Sequence, residues 1–321
     1  MRKIVAILLF LALSPLAFAQ EQEVKIEAEW GTLYGSLAVP DEGASTAVVI
    51  VAGSGPTDRN GNSSLQLNTY AYKMLSDALV NAGYAVLRYD KRAIGMSYAP
   101  REVVLSAVFS DFVDDAALCV DYLHDAGYDK VVVAGHSEGG LIALYLAQPS
   151  DKAVDGIVLL SAAGYTMETI LMRQLSAQLM PSYMGLMISA TDIIQRLKRG
   201  EDVAEDRIPK ELVSLFHPSV QPFLRSNLTT DPAELIANVE TPTLIISGGR
   251  DIQVSVDNAE RLLASSNGAK HISFENMSHV LKDATTDDRV EQMLTVYTNS
   301  QLPLTEGLAD VIVEFLKSYN L

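Results

Sequence analysis

The feature that most constrains the fold is a short turn between a β-branched run and a run of helix formers. Residues 130–134 read KVVVA, which favours a buried strand, and residues 140–147 read GLIALYLA, which favours a helix. The turn between them, residues 135–139, reads GHSEG. A Gly-x-Ser-x-Gly turn in this setting strains its serine and exposes the hydroxyl above the sheet, and Cβ atoms at the glycines would block the approach of strand and helix. The segment predicts a nucleophile elbow with Ser137 as nucleophile, against the alternative of a serine in an ordinary surface turn.

The N-terminus has the layout of a secretory signal peptide. A basic start precedes an apolar run over residues 4–13 and a small-x-small site at Ala17 and Ala19. The apolar run is shorter than the ~18–20 residues that span a bilayer, and no later segment reaches that length. We therefore predict a signal peptide over residues 1–19, with an uncleaved anchor helix as the alternative. The protein is expected to be exported, periplasmic or extracellular, with no membrane span after cleavage.

Charge and cysteine content limit the possible binding partners and disulfide cross-links. The chain carries 40 acidic against 24 basic side chains. An acidic surface repels phosphate backbones, so no nucleic-acid partner is expected. The single cysteine, Cys119, cannot form an intramolecular disulfide, and its helix-period surroundings predict a buried apolar residue. A chain of this length can bury a sizeable hydrophobic core without disulfides.

Alternating strand and helix patterns predict an α/β fold. Apolar and polar residues alternate over 24–39, which predicts an antiparallel hairpin. Further strands are expected at 46–52, 84–89, 130–134, 156–160, 242–247 and 270–274. Helices are expected at 70–82, 106–126, 140–147, 256–265 and 308–319. The alternation predicts a mostly parallel central sheet with helices on both faces.

One segment breaks this alternation. Residues 165–238 show helical periodicity, no convincing strand and five dividing prolines. We predict a helical lid inserted between strands six and seven, with the core built from residues 20–164 and 239–321. Half of the ten methionines lie at the start of the lid: Met167, Met172, Met180, Met184 and Met187. Methionine adapts its shape, so these residues either line an apolar pocket or pack the lid onto the core.

A serine nucleophile needs a base, and the base needs an acid to orient it. His279 follows the last predicted strand, which places it at the sheet edge where Ser137 emerges. It is therefore the predicted base. The alternative is a loop histidine packed under the C-terminal helix. Asp251, after two glycines that follow the preceding strand, is the predicted acid, with a helix N-cap as its alternative role and Asp257 as its rival. His136 is expected to point away from the serine's face.

Two backbone N–H groups are the predicted oxyanion donors. One belongs to Glu138, the residue after the nucleophile. The other is assigned to Ser54, in the loop GSGPTDRNG over residues 53–61, where glycines let the backbone come close to a substrate. Alternatives for this loop are a plain turn and a phosphate loop. It lacks the Gly-Lys-Ser/Thr ending of a P-loop, which argues against nucleotide binding.

Together these segments resemble secreted bacterial carboxylesterases of the α/β-hydrolase fold and, more loosely, serine aminopeptidase-like hydrolases. The matching pieces are AGSGPTD at 52–58, DKRAIGMS at 90–97, GHSEG at 135–139, GRD at 249–251 and SHVLK at 278–282. Two departures are Arg92-Ala93 in place of the common Arg-Gly pair, and an oxyanion loop that begins Ala-Gly where many lipases have His-Gly. Asp90 and Arg92 are expected to tie their loop to its neighbours by ion pairs.

The resemblance implies ester hydrolysis through an acyl-enzyme, on a small-molecule ester and without a metal or organic cofactor. We predict a serine carboxylic ester hydrolase acting on short-chain acyl esters. The same triad also suits an aminopeptidase, which needs an acid for the substrate's free amine. The lid offers six: Glu168, Asp192, Glu201, Asp202, Glu205 and Asp206. The third hypothesis is a non-catalytic binding protein on this fold. A complete triad in the order Ser, Asp, His argues against it. The sequence leaves the oligomeric state open.

Overall fold

Parallel strands dominate the sheet. The computed structural model describes residues 20–65, 67–150 and 154–321; the predicted signal peptide, residues 1–19, lies outside these ranges. The strands are β1 (Gln20–Ala28), β2 (Gly31–Val39), β3 (Thr46–Val51), β4 (Asn62–Ser63), β5 (Leu67–Asn68), β6 (Ala85–Tyr89), β7 (Lys130–His136), β8 (Gly156–Leu160), β9 (Thr243–Gly248) and β10 (Lys270–Phe274). Eight of them form one sheet in the order β1-β2-β6-β3-β7-β8-β9-β10, and β4 pairs with β5 apart from it. Only the pairings β1–β2 and β2–β6 are antiparallel within the eight-stranded sheet, which confirms the predicted mostly parallel sheet.

Helices cover both faces of this sheet. They are α1 (Ala71–Asn81), α2 (Arg101–Ser106), α3 (Phe109–Asp125), α4 (Glu138–Leu146), α5 (Met167–Leu179), α6 (Met184–Lys198), α7 (Val213–Phe216), α8 (Gln221–Asn227), α9 (Pro232–Ile236), α10 (Asp257–Ser265), α11 (Arg289–Thr295) and α12 (Leu308–Ser318). Side chains of α3 and α4 fill the core on one face, and those of α1 and α12 fill it on the other. The central strands β3, β8 and β9 are buried along their whole length, because both of their faces pack against helices.

The predicted helix over 106–126 is α3 in the structure, with its start moved to Phe109, and the short helix α2 before it was not predicted. Helix α2 ends at Ser106 and α3 begins at Phe109, with Val108 between them in an extended conformation. The side chain of Asp111 accepts a hydrogen bond from the Val108 N–H at 2.8 Å, which caps the start of α3. The ribbon of β4 and β5 and the short helix α11 were not predicted. Each is too short to leave a periodic pattern in the sequence.

Residues 165–238, the helical insertion, carry α5 to α9 between the sixth and seventh strands of the main sheet. The insertion has its own apolar cluster, in which Ile194, Phe216 and Leu228 are fully buried. It also packs on the core, where the ring of Phe223 lies 5.9 Å from that of Phe109 and 5.3 Å from that of Phe112. Among the described helices, none combines the length and apolar character that a membrane crossing requires.

Candidate active site

The turn between β7 and α4 holds Ser137 in a strained conformation. Ser137 has φ 53° and ψ −117°, a backbone conformation that residues other than glycine rarely adopt. A Cβ on Gly135 would lie 2.1 Å from the carbonyl oxygen of Gly139, and one on Gly139 would lie 2.3 Å from that of Val51. Both glycines are therefore required by the close packing of the turn. The structure has the elbow geometry that the sequence predicts.

Asp251 and His279 lie together at the carboxyl edge of the sheet, in the loops that follow β9 and β10. The Nδ1 atom of His279 is 2.8 Å from Oδ2 of Asp251, and both side chains are almost fully buried. The other carboxylate oxygen accepts the N–H groups of Gln253 and Val254, each at 2.8 Å. Because a carboxylate only accepts, Nδ1 of His279 carries the proton and Nε2 is left as an acceptor. Ser137 and His279 line the same cleft.

The rival acid Asp257 and two other histidines have other partners. Asp257 accepts a hydrogen bond from Arg173 at 2.7 Å and starts α10. His271 is hydrogen-bonded to Ser247 at 2.9 Å, and His217 to Ser219 at 2.8 Å. Of the two acids considered, Asp251 is the one that meets His279. The catalytic roles of Ser137, Asp251 and His279 remain predictions that this geometry supports.

The residues of the two predicted oxyanion donors line the same cavity as the nucleophile. Glu138 is the first residue of α4, so its N–H has no partner within the helix. Ser54 lies in the loop after β3, and it lines the same cavities as Ser137. A Cβ on the neighbouring Gly53 would lie 3.1 Å from that of Ser137, which shows how closely this loop approaches the elbow. The assignment of the two N–H groups as oxyanion donors stays a prediction.

His136 belongs to the site in a way that the sequence did not suggest. It was expected to point away from the serine's face; its ring packs beside that of His279, with centroids 4.8 Å apart. Its Nε2 lies 2.7 Å from the carbonyl oxygen of His279, so Nε2 carries the proton, and Nδ1 accepts from the hydroxyl of Tyr72 at 2.7 Å. That hydroxyl in turn accepts the N–H of Gly53 at 3.2 Å. The chain of bonds therefore joins the oxyanion loop to the backbone of the predicted base.

Burial keeps this second histidine neutral. Burial, together with the neighbouring His279, lowers the pKa of His136 from 6.5 to about 3. Nothing in the sequence relates Tyr72 to a histidine 64 positions away, because the contact exists only once α1 packs on the sheet. The spacing of motifs therefore could not reveal this network.

Buried ion pairs fix the loop after β6, as the sequence predicted. Asp90 accepts from Arg59 at 2.8 Å, and Asp115 accepts from Arg92 at 2.8 Å. Between these two anchors, the side chain of Lys91 turns inward and donates to the carbonyl oxygen of Gly53 at 2.5 Å. The loop after β6 is thereby tied to the predicted oxyanion loop.

Two cavities meet at Ser137. The smaller, of about 260 Å³, is lined by His279 together with Leu65, Tyr72, Met293 and Tyr297, and we call it the histidine cavity. The larger, of about 530 Å³, lies between the core and the helical insertion, and we call it the insertion cavity. Among its lining residues are Lys91, Glu138, Phe112, Ile170, Leu171 and Phe223. Both volumes are of the order expected for small-molecule sites. In the described part of the chain, no cluster of three or more His, Cys, Asp or Glu residues is placed to hold a metal ion.

Known proteins with related sequences are hydrolases. The chain is 28% identical to the esterase EstD of Thermotoga maritima over 254 residues, covering 78% of this chain but only 58% of that esterase. It is 25% identical to a proline iminopeptidase of Saccharolobus solfataricus over 244 residues, covering 63% of this chain and 72% of that enzyme.

The fold and the family agree with these relatives. The Pyrococcus furiosus esterase Pf2001 has a similar structure, with a TM-score of 0.58 at 18% identity and coverage of 94% of this chain and 92% of that one. A sequence model described as serine aminopeptidase, S33, matches residues 67–282, which is more than half of the chain. The chain therefore belongs to the serine aminopeptidase S33 family of α/β-hydrolases.

Proposed function

We propose that this protein is a serine ester hydrolase that cleaves carboxylic esters of short acyl groups through an acyl-enzyme. The observation that carries the proposal is the hydrogen bond between Asp251 and His279, in a cleft that Ser137 also lines. The esterase relatives support the ester as substrate. The strained elbow supports Ser137 as the attacking group.

The proposed reaction uses these three side chains in two steps. Ser137 Oγ attacks the carbonyl carbon while Nε2 of His279 takes its proton, and the N–H groups of Ser54 and Glu138 stabilise the oxyanion. His279 then gives the proton to the alkoxide leaving group, and the acyl group remains on Ser137. Water repeats the sequence with His279 as base, which releases the carboxylic acid and restores the serine.

The surroundings of His279 suit this cycle electrostatically. Asp251 stabilises the imidazolium that forms at each step, since its carboxylate stays bonded to Nδ1. The adjacent His136 is neutral, because burial lowers its pKa to about 3. It therefore adds no second positive charge beside the imidazolium, while its Nε2–H holds the backbone of His279 in place.

A peptidase activity is the second candidate. The family description and the iminopeptidase relative favour it. The catalytic triad would be the same, and the difference lies in the leaving amine and in an acid to bind the substrate's free α-amine. Arylamides with a free N-terminus therefore separate the two candidates, because an esterase leaves them nearly intact.

The deciding experiment is turnover by the purified protein of p-nitrophenyl esters from acetate to palmitate, with aminoacyl arylamides in parallel. We expect rapid cleavage of the short esters, with the rate falling as the acyl chain grows. Ser137→Ala should fold normally and lose at least about 10³-fold in kcat. The matched control is Ser106→Ala, at an exposed serine of α2, which should keep full activity. Full activity of Ser137→Ala would overturn the proposal.

Export is a separate proposal. We propose that residues 1–19 direct the chain out of the cytoplasm and are then removed. Expression in a bacterial host, followed by fractionation and N-terminal sequencing, tests it. A mature protein beginning near Gln20 in the periplasm or medium is the expected result, and an intact N-terminus retained with the cells would contradict it.

A further inference from the structure

If the proposed function holds, the position of His279 indicates which cavity binds the leaving alcohol and which binds the acyl part of the ester. The general acid must reach the leaving oxygen, so the leaving alcohol occupies the cavity that His279 lines. The insertion cavity is lined by Ser137 and Glu138 but not by His279. The acyl part of the ester therefore enters the insertion cavity.

This acyl side is mostly apolar, yet three charged side chains line it. Its walls include Ile170, Leu171 and Phe223, whereas the charged groups are Lys91, Arg92 and Glu138. The guanidinium of Arg92 is held by the carboxylate of Asp115, at 2.8 and 2.9 Å. Lys91 and Glu138 remain as the charged groups at the end of the cavity next to the nucleophile.

Neither of these two groups has its full set of partners. Lys91 is only 5% exposed, and its ammonium, which has three donors, makes one hydrogen bond, to the carbonyl oxygen of Gly53. Within residues 20–65, 67–150 and 154–321, the Glu138 carboxylate makes no hydrogen bond and no ion pair within 4.0 Å. Burial raises the pKa of Glu138, and the charge of Lys91 opposes that rise. Glu138 is only partly buried and lines the cavity, so its carboxylate is open to a group bound there.

We propose that Lys91 and Glu138 form a polar subsite that binds a hydroxyl group on the acyl part of the ester, close to its carbonyl. The preferred substrates are then esters of short hydroxy acids. A hydroxyl accepts a hydrogen bond from the ammonium and donates one to the carboxylate, so it satisfies both groups at once. A substrate ammonium would be repelled by Lys91, and a substrate carboxylate by Glu138.

The test compares acyl groups that differ only by the hydroxyl. Hydrolysis of methyl butyrate, methyl 2-hydroxybutyrate and methyl 3-hydroxybutyrate is followed by pH-stat titration. Hydrogen bonds to charged groups contribute enough to predict a kcat/KM at least about 10-fold higher for one hydroxy ester. The apolar variants Lys91→Met and Glu138→Met should reduce that ratio to about 1. Lys210→Met, at an exposed lysine of the insertion, is the matched control and should keep the wild-type ratio.

The ratio of kcat/KM between a hydroxy ester and methyl butyrate distinguishes a substrate-binding role of Lys91 from a purely structural one. If Lys91 only holds the oxyanion loop through Gly53, Lys91→Met lowers activity on all three esters equally, and the proposal is wrong while the esterase assignment stands. A preference of the wild-type protein for plain butyrate, or for an aminoacyl ester, overturns it as well. Absence of turnover on every ester, by contrast, overturns the proposed function itself. Circular dichroism of each variant shows whether it has folded.

Discussion

The carboxyl edge of the sheet and the helical insertion hold their residues by different means. At the edge, directed bonds fix the groups of the predicted catalytic site: Asp251 to His279, His136 to the His279 backbone, and Tyr72 to His136. In the insertion, non-directional apolar packing dominates, around buried residues such as Ile194 and Phe216.

Some of the polar contacts between the insertion and the loops near the edge are exposed. Exposed Arg173 pairs with Asp257 at 2.7 Å, and the side chain of Gln174 donates to the Gln253 carbonyl oxygen at 3.3 Å. Near the start of the insertion, Tyr183 and Ile188 are largely exposed. Chemistry needs atoms placed within a fraction of an ångström, whereas apolar cavity walls need only enclose a volume. The difference teaches that the rate should depend on the bonds at the edge, whereas the packing of the insertion should matter much less to it.

The strongest test of that separation is Asp251→Asn. An amide in place of the carboxylate favours the wrong tautomer of His279, so kcat should fall by about 10⁴-fold with the fold intact. The control is Asp257→Asn, which removes a surface ion pair in the same loop region and should leave kcat nearly unchanged. Equal losses in the two variants would mean that the edge is not the fixed region described above.

Acid should destabilise the edge through His136. Its pKa is about 3 in the folded protein against 6.5 for a free histidine, so the unfolded chain binds the extra proton. The full stability is therefore present above pH 6.5 and is lost as the pH falls towards 3, by up to about 5 kcal/mol at about 1.4 kcal/mol per pKa unit. The free energy of unfolding, measured with urea at several pH values in this range, should fall less steeply with decreasing pH in His136→Asn than in the wild-type protein. The control is His124→Asn, at an exposed histidine of α3, which should keep the wild-type dependence of the free energy of unfolding on pH.

Tyr72→Phe probes the same network without removing a charge. Loss of the hydroxyl leaves Nδ1 of buried His136 without its donor and frees the N–H of Gly53. We expect a loss of about 1–3 kcal/mol in the free energy of unfolding. We also expect kcat to fall about 10-fold, less than the ~100-fold that a misplacement of roughly 1 Å can cost. Tyr70→Phe is the control, because Tyr70 is 42% exposed and lies just before α1.

The smallest effect is expected where the insertion meets the core. Arg173→Ala removes an exposed ion pair, so the free energy of unfolding should change by less than about 1 kcal/mol. On short esters, kcat should stay within about 2-fold of the wild-type value. A collapse of kcat in this variant would show that the insertion takes part in fixing the catalytic groups.

Sequence reasoning succeeded where local pattern and chain order carry the information. The elbow around Ser137 is a contiguous motif, and Asp251 and His279 each follow a strand whose end is fixed by the parallel topology. The prediction that His136 points away from the serine's face was wrong, because its partner Tyr72 comes from a helix that reaches it only after packing. The lack of a partner for the Glu138 carboxylate among the described residues and the inward turn of Lys91 were likewise invisible, since a charge next to a motif does not reveal what it faces.

The insertion splits the core, and this affects how the protein reaches its working state. Strand β8, before the insertion, pairs with β9, after it, with Ile157 opposite Thr243. The predicted nucleophile Ser137 lies on the earlier part of the chain, while the predicted acid and base, Asp251 and His279, lie on the later part. Pairings between such distant segments form late, because the loop-closure entropy must first be overcome. A nascent or half-folded chain therefore carries the serine without its base. Under the proposed mechanism, hydrolysis begins only when the last two strands join the sheet, so the topology itself delays the onset of activity until folding is complete.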